Sequence, residues 1–177
     1  MASAYDPWMT ADARGLAAFN ALDPPSAERE LRACCASDVW AAEVAAGRSY
    51  PDLETLLARA DDVLDRLGWP DVLHALDAHP RIGDRAAGEG REAVWSRGEQ
   101  SGMDNADATT RAALVEANRA YEDRFGHVFL IFASGRTDTE MLAAARERLN
   151  NDEDAEREVV RGELRRIMRL RLERLLL

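Results

Sequence analysis

A histidine followed by a proline carries the residue type in this chain that is best suited to proton transfer. His79 and Pro80 lie in a polar stretch that runs from Asp77 to Asp84. Imidazole titrates near neutrality when it is unperturbed, so it can act as a general acid or base at physiological pH. Pro80 restricts the backbone beside it, and Gly83 allows a tight turn. The alternative is a histidine at a helix end that hydrogen-bonds a terminal carbonyl, and the residue by itself favours that alternative.

A second polar group follows on Glu92–Gln100, a stretch that is compatible with a short helix. Ser96, Glu99 and Gln100 are spaced i, i+3 and i+4, so on a helix they share one face. That face carries a hydroxyl, a carboxylate and an amide, which together can bind a ligand with alternating N–H and C=O groups. The alternative is a solvated face on which Ser96 and Glu99 form a capping box, and this alternative is favoured when the group is considered alone.

Metal and thiol chemistry find little support among the remaining candidates. His74 and His79 are five residues apart, which is off the i, i+4 spacing of helical metal ligands, and no cysteine or carboxylate cluster completes a site. Cys34 and Cys35 are adjacent, and no base that could activate either thiol can be identified. We therefore expect no metal, and we expect both thiols to be small buried residues in a reducing compartment.

Three residues in the first third of the chain are weaker candidates. Trp40, Glu43 and Arg48 could form part of a pocket rim. A core tryptophan and a surface ion pair are the favoured alternative, because tryptophan is usually well buried and charged side chains are mostly exposed.

Length and composition limit the class of protein. The 177 residues and the apolar content of 46% fit one domain, 1–177, with a proper core. The 23 basic and 33 acidic residues give a net charge of −10, which argues against binding to nucleic acid or to an acidic membrane surface. No apolar run approaches membrane-spanning length, and Met1–Asp12 lacks the basic and apolar regions of a signal peptide. We expect a cytoplasmic protein that binds neither nucleic acid nor membrane.

Helices must position these groups, because apolar periodicity and turn residues predict helices through most of the chain. One helix is expected to stop at His79, since a residue before proline is excluded from the α region. A long helix over Asp104–Phe125 should end at Gly126, and Thr137 with Glu140 has the spacing of a capping box. The pattern as a whole predicts an all-α single-domain bundle of seven to eight helices.

One stretch, from His127 to Ala133, has the composition of a β-strand. A single strand has no partner to pair with, so we expect a buried extended segment among the helices. Its backbone N–H and C=O groups must be satisfied somewhere. A bound polar ligand is one such place.

Taken together and in order, these segments resemble the family of 2-oxo-4-hydroxy-4-carboxy-5-ureidoimidazoline (OHCU) decarboxylases. Each motif is weak alone, whereas the set is specific and covers nearly the whole chain with its order and spacing intact. The similar segments are Cys34-Cys35 with Trp40, His79-Pro80-x-Ile82-Gly83, Ser96-x-x-Glu99-Gln100, Tyr121-x-x-x-Phe125-Gly126-x-x-Phe129-Leu130-Ile131, Arg148-Leu149-Asn150 and Glu163-Leu164-x-x-Ile167-x-x-x-Arg171-Leu172.

The resemblance implies an all-α homodimer in purine catabolism that acts after uricase and 5-hydroxyisourate hydrolase. Such an enzyme converts OHCU to (S)-allantoin and CO2 without a cofactor or metal. By analogy with the family His79 is the essential catalytic acid or base, and we assign to Glu99 the orientation of the substrate hydroxyl. The substrate-binding residues that the resemblance implies are Pro80, Ser96, Arg97, Gly98, Glu99, Gln100, Phe129, Leu130, Ile131, Phe132 and Ala133.

This chain departs from many relatives in two places, and other classes of function stay open. His127 and Val128 stand where many relatives carry an aromatic residue and a proline, so a second imidazole is expected near the pocket. Ser134 stands where many relatives carry an arginine, and Arg136 is therefore left out of the predicted site. A catalytically silent helical module that binds a purine-catabolic intermediate is the main alternative, followed by a pure interaction domain.

Overall fold

The structure is a computed structural model that describes residues 11–84, 90–104 and 106–177, and within those ranges it is helical without β-strands. This confirms the all-α prediction. The described residues form nine α-helices, more than the seven to eight expected, because the short stretch before Gln100 also forms a regular helix. The helices are α1 (Ala11–Asn20), α2 (Pro24–Cys34), α3 (Asp38–Ala46), α4 (Leu53–Arg66), α5 (Trp69–Asp77), α6 (Arg91–Glu99), α7 (Ala108–Phe125), α8 (Asp138–Arg148) and α9 (Glu153–Leu176), with a 3₁₀ helix at Ser101–Met103.

Local capping residues mark several of the helix boundaries. The Ser37 side chain accepts a hydrogen bond from the Trp40 N–H at the start of α3. Thr137 and Glu140 form the predicted capping box at the start of α8. Gly126 ends α7 in the left-handed conformation, with φ +74°, which favours glycine over residues with a Cβ.

The predicted start of α7 at Asp104 is wrong by four residues. Asp107 is the N-cap, and its carboxylate accepts a hydrogen bond from the Thr110 N–H. The chain before it is held in a different arrangement by Arg111, whose guanidinium donates to the carbonyls of Met103 (2.8 Å) and Ala106 (3.2 Å). The competing cap and these carbonyl contacts prevent the helix from extending to Asp104.

The described part of the chain divides into two compact units, one formed by 11–66 with Met168–Leu177 and the other by Leu67–Ile167. The assignment of 1–177 to one domain stays a prediction. None of the helices in the described ranges combines the length and the apolar character that crossing a membrane requires.

In the first unit, the candidates near the cysteines have structural contacts. Trp40 is buried, and its Nε1 donates to the Ala60 carbonyl at 3.0 Å. Glu43 pairs with Arg66 at 3.1 Å, while Arg48 donates to carbonyls at the end of α1 and just after it. The alternative of a core tryptophan and a surface ion pair therefore describes this region better than a pocket rim.

Both cysteines in that unit are buried free thiols, as the sequence predicts. Burial raises the pKa of the Cys35 thiol to about 11, so the thiolate is scarce at neutral pH. Burial and the scarcity of the thiolate together indicate that Cys35 serves in packing.

The second unit contains every residue of the predicted site. Its core is built from α7, α8 and the segment His127–Ala133, which packs among the helices instead of joining a sheet. The buried members of this core are Ile82, Met103, Leu114, Ala117, Tyr121, Phe129, Ile131, Ala133, Met141 and Ala145.

Candidate active site

A small cavity in the second unit is bordered by the loop after α5, one face of α6 and the extended segment. It has a volume of about 20 Å³, which is room for about one water molecule. Nine of the twelve predicted site residues line it, joined by Ile82 and Ile167. These nine are His79, Pro80, Ser96, Glu99, Gln100, Phe129, Leu130, Ile131 and Ala133.

His79 lies where this cavity meets more open space. Helix α5 ends at Asp77, and the His79 N–H donates to the Leu76 carbonyl at 2.8 Å, which holds the histidine on a turn. A recess of about 290 Å³ shares His79, Pro80 and Ser96 with the cavity. The half-buried imidazole therefore borders both the small cavity and a recess close to the size of small-molecule sites.

Neutral amide side chains hold the loop that follows His79. Asn118 is buried, and its Nδ2 donates to the Ile82 carbonyl at 2.9 Å. Gln100 accepts a hydrogen bond from the Gly83 N–H (3.0 Å) and donates to the Arg81 carbonyl (3.4 Å). Gln100 thus lines the cavity while its amide is engaged with the loop, and its predicted role in reading a ligand stays a prediction.

The polar face of α6 forms as its spacing predicts. Ser96 and Glu99 are buried, with 4% and 7% of their surface exposed, whereas Arg97 and Gly98 are exposed and do not line the cavity. The helical period explains this difference, because residues one and two positions after Ser96 point away from its face. Helix α6 starts at Arg91, so the alternative in which Ser96 is an N-cap is wrong.

The extended segment is buried, and charged side chains bind part of its backbone. The Leu130 carbonyl accepts a hydrogen bond from Arg148 at 2.7 Å, and the Phe132 N–H donates to Glu163 at 2.7 Å. No hydrogen bond from another described residue reaches the N–H or C=O of Ile131. Phe132 is half-buried and does not line the cavity, in contrast to its neighbours in the segment.

Behind the segment lies a buried ionic cluster of Tyr121, Arg148 and Glu156, of which the sequence motifs contain Tyr121 and Arg148, without a role, and not Glu156. Arg148 donates to Glu156 Oε1 through Nε (2.8 Å) and Nη2 (2.6 Å), and the Tyr121 hydroxyl donates to the same oxygen. Burial and the bond to Glu156 raise the pKa of the Tyr121 hydroxyl above its ordinary value. The presence of Tyr121 and Arg148 in the motifs of the resemblance was a signal for those two residues, and no motif pointed to Glu156.

The second imidazole, His127, does not line the small cavity. Its ring packs edge-on against Trp69 and Tyr121, at 5.5 Å between centroids in each case. It borders a separate groove of about 590 Å³ that also reaches His79 and Pro80. Within the described ranges, no cluster of three or more His, Cys, Asp or Glu side chains is arranged as a metal site.

Arg136, which the prediction left out of the site, contacts the backbone of the segment. Its Nε donates to the Phe132 carbonyl at 3.1 Å, and its own N–H donates to the Ala133 carbonyl at 3.0 Å. These bonds close the turn that follows the segment.

The chain is similar to known proteins in both sequence and fold. The family model described as OHCU decarboxylase matches residues 20–173. The "Uric acid degradation bifunctional protein TTL" of Arabidopsis thaliana is 33% identical over 152 residues, which are 84% of this chain and 47% of that protein. The "2-oxo-4-hydroxy-4-carboxy-5-ureidoimidazoline decarboxylase" of Amia calva is 32% identical over 137 residues, which are 76% of this chain and 78% of that protein. The chain thus spans about half the length of the first relative and about three quarters of the second.

Solved structures agree with this comparison. A crystal structure of OHCU decarboxylase in the presence of (S)-allantoin superposes with a TM-score of 0.72 at 31% identity, over 83% of this chain and 96% of that chain. A crystal structure of (S)-allantoin synthase, 16% identical with a TM-score of 0.68, supports the fold alone; it covers 89% of this chain and 52% of that chain. The chain belongs to the OHCU decarboxylase family, a family of carboxy-lyases in urate degradation.

Proposed function

We propose that this protein converts OHCU to (S)-allantoin and CO2 in the urate-degradation branch of purine catabolism, without a cofactor. The observation that carries the proposal is the meeting of three groups around one cavity: His79, Glu99 and the backbone of Ile131, to which no other described residue forms a hydrogen bond. A proton-transfer group, a buried carboxylate and main-chain hydrogen-bonding groups are the parts that this decarboxylation needs. The relative crystallised in the presence of (S)-allantoin supports the choice of product.

The chemistry assigns a task to each group. Breakage of the bond to CO2 moves its electron pair into the neighbouring C=N bond of the ring, and conjugation of that nitrogen with the ring carbonyl spreads the negative charge onto the carbonyl oxygen. Hydrogen-bond donors aimed at that oxygen lower the barrier, as an oxyanion hole does. His79 handles the proton of the 4-hydroxyl or delivers one to the carbanion, and Glu99 orients the hydroxyl. Protonation from one face yields a single enantiomer.

The size of the spaces around His79 supports a particular placement of the substrate. The small cavity has room for about one water molecule, whereas the recess of about 290 Å³ is close to the size of small-molecule sites. Both are bordered by His79, Pro80 and Ser96. A substrate in the recess would present its reacting carbon to His79 and its polar edge to the cavity.

The test is turnover of freshly generated OHCU, followed by the circular dichroism of the chiral product. We expect optically active allantoin from the wild type, a loss of about 100-fold or more in kcat for His79→Asn, and a smaller loss for Glu99→Gln. Wild-type rates in both variants would contradict the assigned roles, and no turnover by the wild-type protein would contradict the proposed function.

The silent binding module and the interaction domain make different predictions for the same samples. A binding module is stabilised thermally by (S)-allantoin but does not turn OHCU over. An interaction domain shows neither effect. The homodimer, with the apolar final helix and the Arg-rich face 161–174 as its candidate surfaces, and the cytoplasmic location also stay predictions; light scattering of the purified protein tests the first.

A further inference from the structure

The backbone of the extended segment is held by three charged side chains and by no neighbouring strand among the described residues. Arg148 donates to the Leu130 carbonyl at 2.7 Å. Glu163 accepts from the Phe132 N–H at 2.7 Å, and Arg136 donates to the Phe132 carbonyl at 3.1 Å. The bonds fall on residues 130 and 132 and skip residue 131.

This alternation has a geometric meaning. In an extended chain the backbone groups of successive residues point to opposite sides, so those of Leu130 and Phe132 point one way and those of Ile131 point the other. The backbone groups of Leu130 and Phe132 are bound by the charged side chains, whereas those of Ile131, which lines the cavity as Leu130 also does, point to the other side. The anchors therefore fix the direction in which the N–H of Ile131 points.

The Arg148 side chain is itself held by Glu156 and by the Phe129 ring. Its guanidinium donates twice to Glu156 and lies 4.6 Å from the centre of the Phe129 ring. The other Glu156 oxygen accepts from Asn151 at 2.8 Å, so both carboxylate oxygens are engaged. A buried ion pair of this kind is weak evidence for stability, because the loss of hydration offsets much of the attraction. A role in holding one backbone geometry is a better reason for its presence.

We propose that Arg148 and Glu163 are positioning residues for the reaction. They hold the segment so that the Ile131 N–H is directed at the oxygen on which negative charge develops when CO2 is lost. Donors that are already oriented stabilise such charge without reorganisation during the reaction. This inference rests on the proposed function. It gives the ionic groups behind the segment a task, which is to hold the backbone in place without touching the substrate.

The Glu163 anchor permits a test with a matched pair of variants. Glu163→Gln keeps an oxygen that can accept from the Phe132 N–H, whereas Glu163→Leu removes it. We expect Glu163→Leu to lower kcat by about 10- to 100-fold with KM changed less than about 3-fold, and Glu163→Gln to stay within about 3-fold of the wild type. Equal kcat in the two variants would overturn the inference, since the bond to Phe132 would then have no effect on the chemical step.

The Arg148 anchor is tested by Arg148→Lys, with Arg146→Lys as its control on the exposed face of the same helix. Lysine keeps the charge beside Glu156 but lacks the planar fork that reaches Glu156 and the Leu130 carbonyl together. We expect kcat of Arg148→Lys to fall by about 10-fold or more at nearly constant KM, with the control unchanged. A wild-type kcat in Arg148→Lys would contradict the role assigned to it.

Amide hydrogen exchange separates this inference from the proposed function, because it needs no substrate. In Glu163→Leu and Arg148→Lys we expect faster exchange in the peptide that spans 129–133, with α7 unchanged. If the wild type fails to turn over OHCU, the proposed function is wrong, and the exchange data still decide whether the anchors hold the segment. If the wild type is active while both variants match it in kcat and in exchange, the positioning role alone is wrong.

Discussion

Two walls of the same cavity are held in place by different kinds of contact. The backbone of the loop Arg81–Gly83 is anchored by the neutral amides of Asn118 and Gln100, and its ion pair, between Arg81 and Glu122, lies at the exposed surface. The segment Leu130–Phe132 is anchored by charged groups, of which Arg148 is 7% exposed and its partner Glu156 is 1% exposed.

The difference concerns what happens when an anchor is lost. Removal of a neutral amide forfeits one hydrogen bond, whereas removal of one member of a buried ion pair leaves the other charged and unpaired. The loop should therefore tolerate adjustment, and the segment should behave as an all-or-none element.

The largest expected effect comes from the charged wall, by which we mean the segment Leu130–Phe132 with the charged side chains that anchor it. Arg148→Met should lower the free energy of unfolding by about 3–5 kcal/mol, because Glu156 becomes an uncompensated buried charge. Combining it with Glu156→Leu should recover at least about half of that loss, since no charge is then stranded. Urea unfolding measures both, and a double variant no more stable than Arg148→Met would break the comparison.

A smaller loss is expected when the loop loses its buried anchor. Asn118→Ala should cost about 1–3 kcal/mol, because the buried Ile82 carbonyl loses its donor. Asn150→Ala is the control, since Asn150 also donates to backbone carbonyls but is exposed, and it should cost about 0.5 kcal/mol or less. A cost for Asn118→Ala equal to that of Arg148→Met would remove the distinction between the two walls.

The third effect is a loss of stability when Gly83, which has a positive φ, is replaced by alanine. Gly83 has φ +94°, and a Cβ there would lie 3.7 Å from Met103, in ordinary contact. Gly83→Ala should therefore destabilise through backbone strain alone, by about 1–2 kcal/mol. Gly162 is the contrast, because it lies inside α9 and no atom comes within 4 Å of an added Cβ; Gly162→Ala should raise the free energy of unfolding by about 0.5–1 kcal/mol. Thermal unfolding compares the two, and destabilisation of the same size at both positions would contradict the argument.

The smallest effect is a fall in the free energy of unfolding at alkaline pH. Of the two walls, only the charged one should contribute to it. Burial raises the pKa of Tyr121 above its ordinary value of 10.0, so the folded state keeps a proton that the unfolded state loses. The stability that this contributes is complete below pH 10.0 and falls as the pH rises above it. Tyr121→Phe should remove that part of the slope, whereas Asn118→Ala should keep it. The free energy of unfolding measured on both sides of the ordinary tyrosine pKa tests this.

Local signals made much of the fold predictable. The caps at Ser37, Thr137 and Gly126 act within one helical turn, so the residues themselves define the boundary. The start of α7 was misplaced because Arg111 binds carbonyls five and eight residues earlier, and such a contact has no pattern in the sequence.

The site was predicted less evenly. The resemblance identified runs of residues, and the structure divides those runs by side, so that Arg97, Gly98 and Phe132 lie off the cavity. Helical periodicity would have separated Arg97 and Gly98 in advance, whereas extended periodicity groups Phe132 with Leu130, which does line the cavity. The partners of the segment were not predictable, because Arg148 and Glu163 are 18 and 31 residues away from the backbone groups that they bind.

The main-chain groups of Ile131 bear on how this site can change over generations. Any amino acid supplies a carbonyl at position 131, and every one except proline supplies the N–H. A point mutation in that codon can alter the volume of the side chain while it leaves the polar edge intact. The position of the Ile131 main-chain groups therefore depends on the distant codons for Arg148, Glu156 and Glu163. A single base change in one of these codons can change the direction of the backbone.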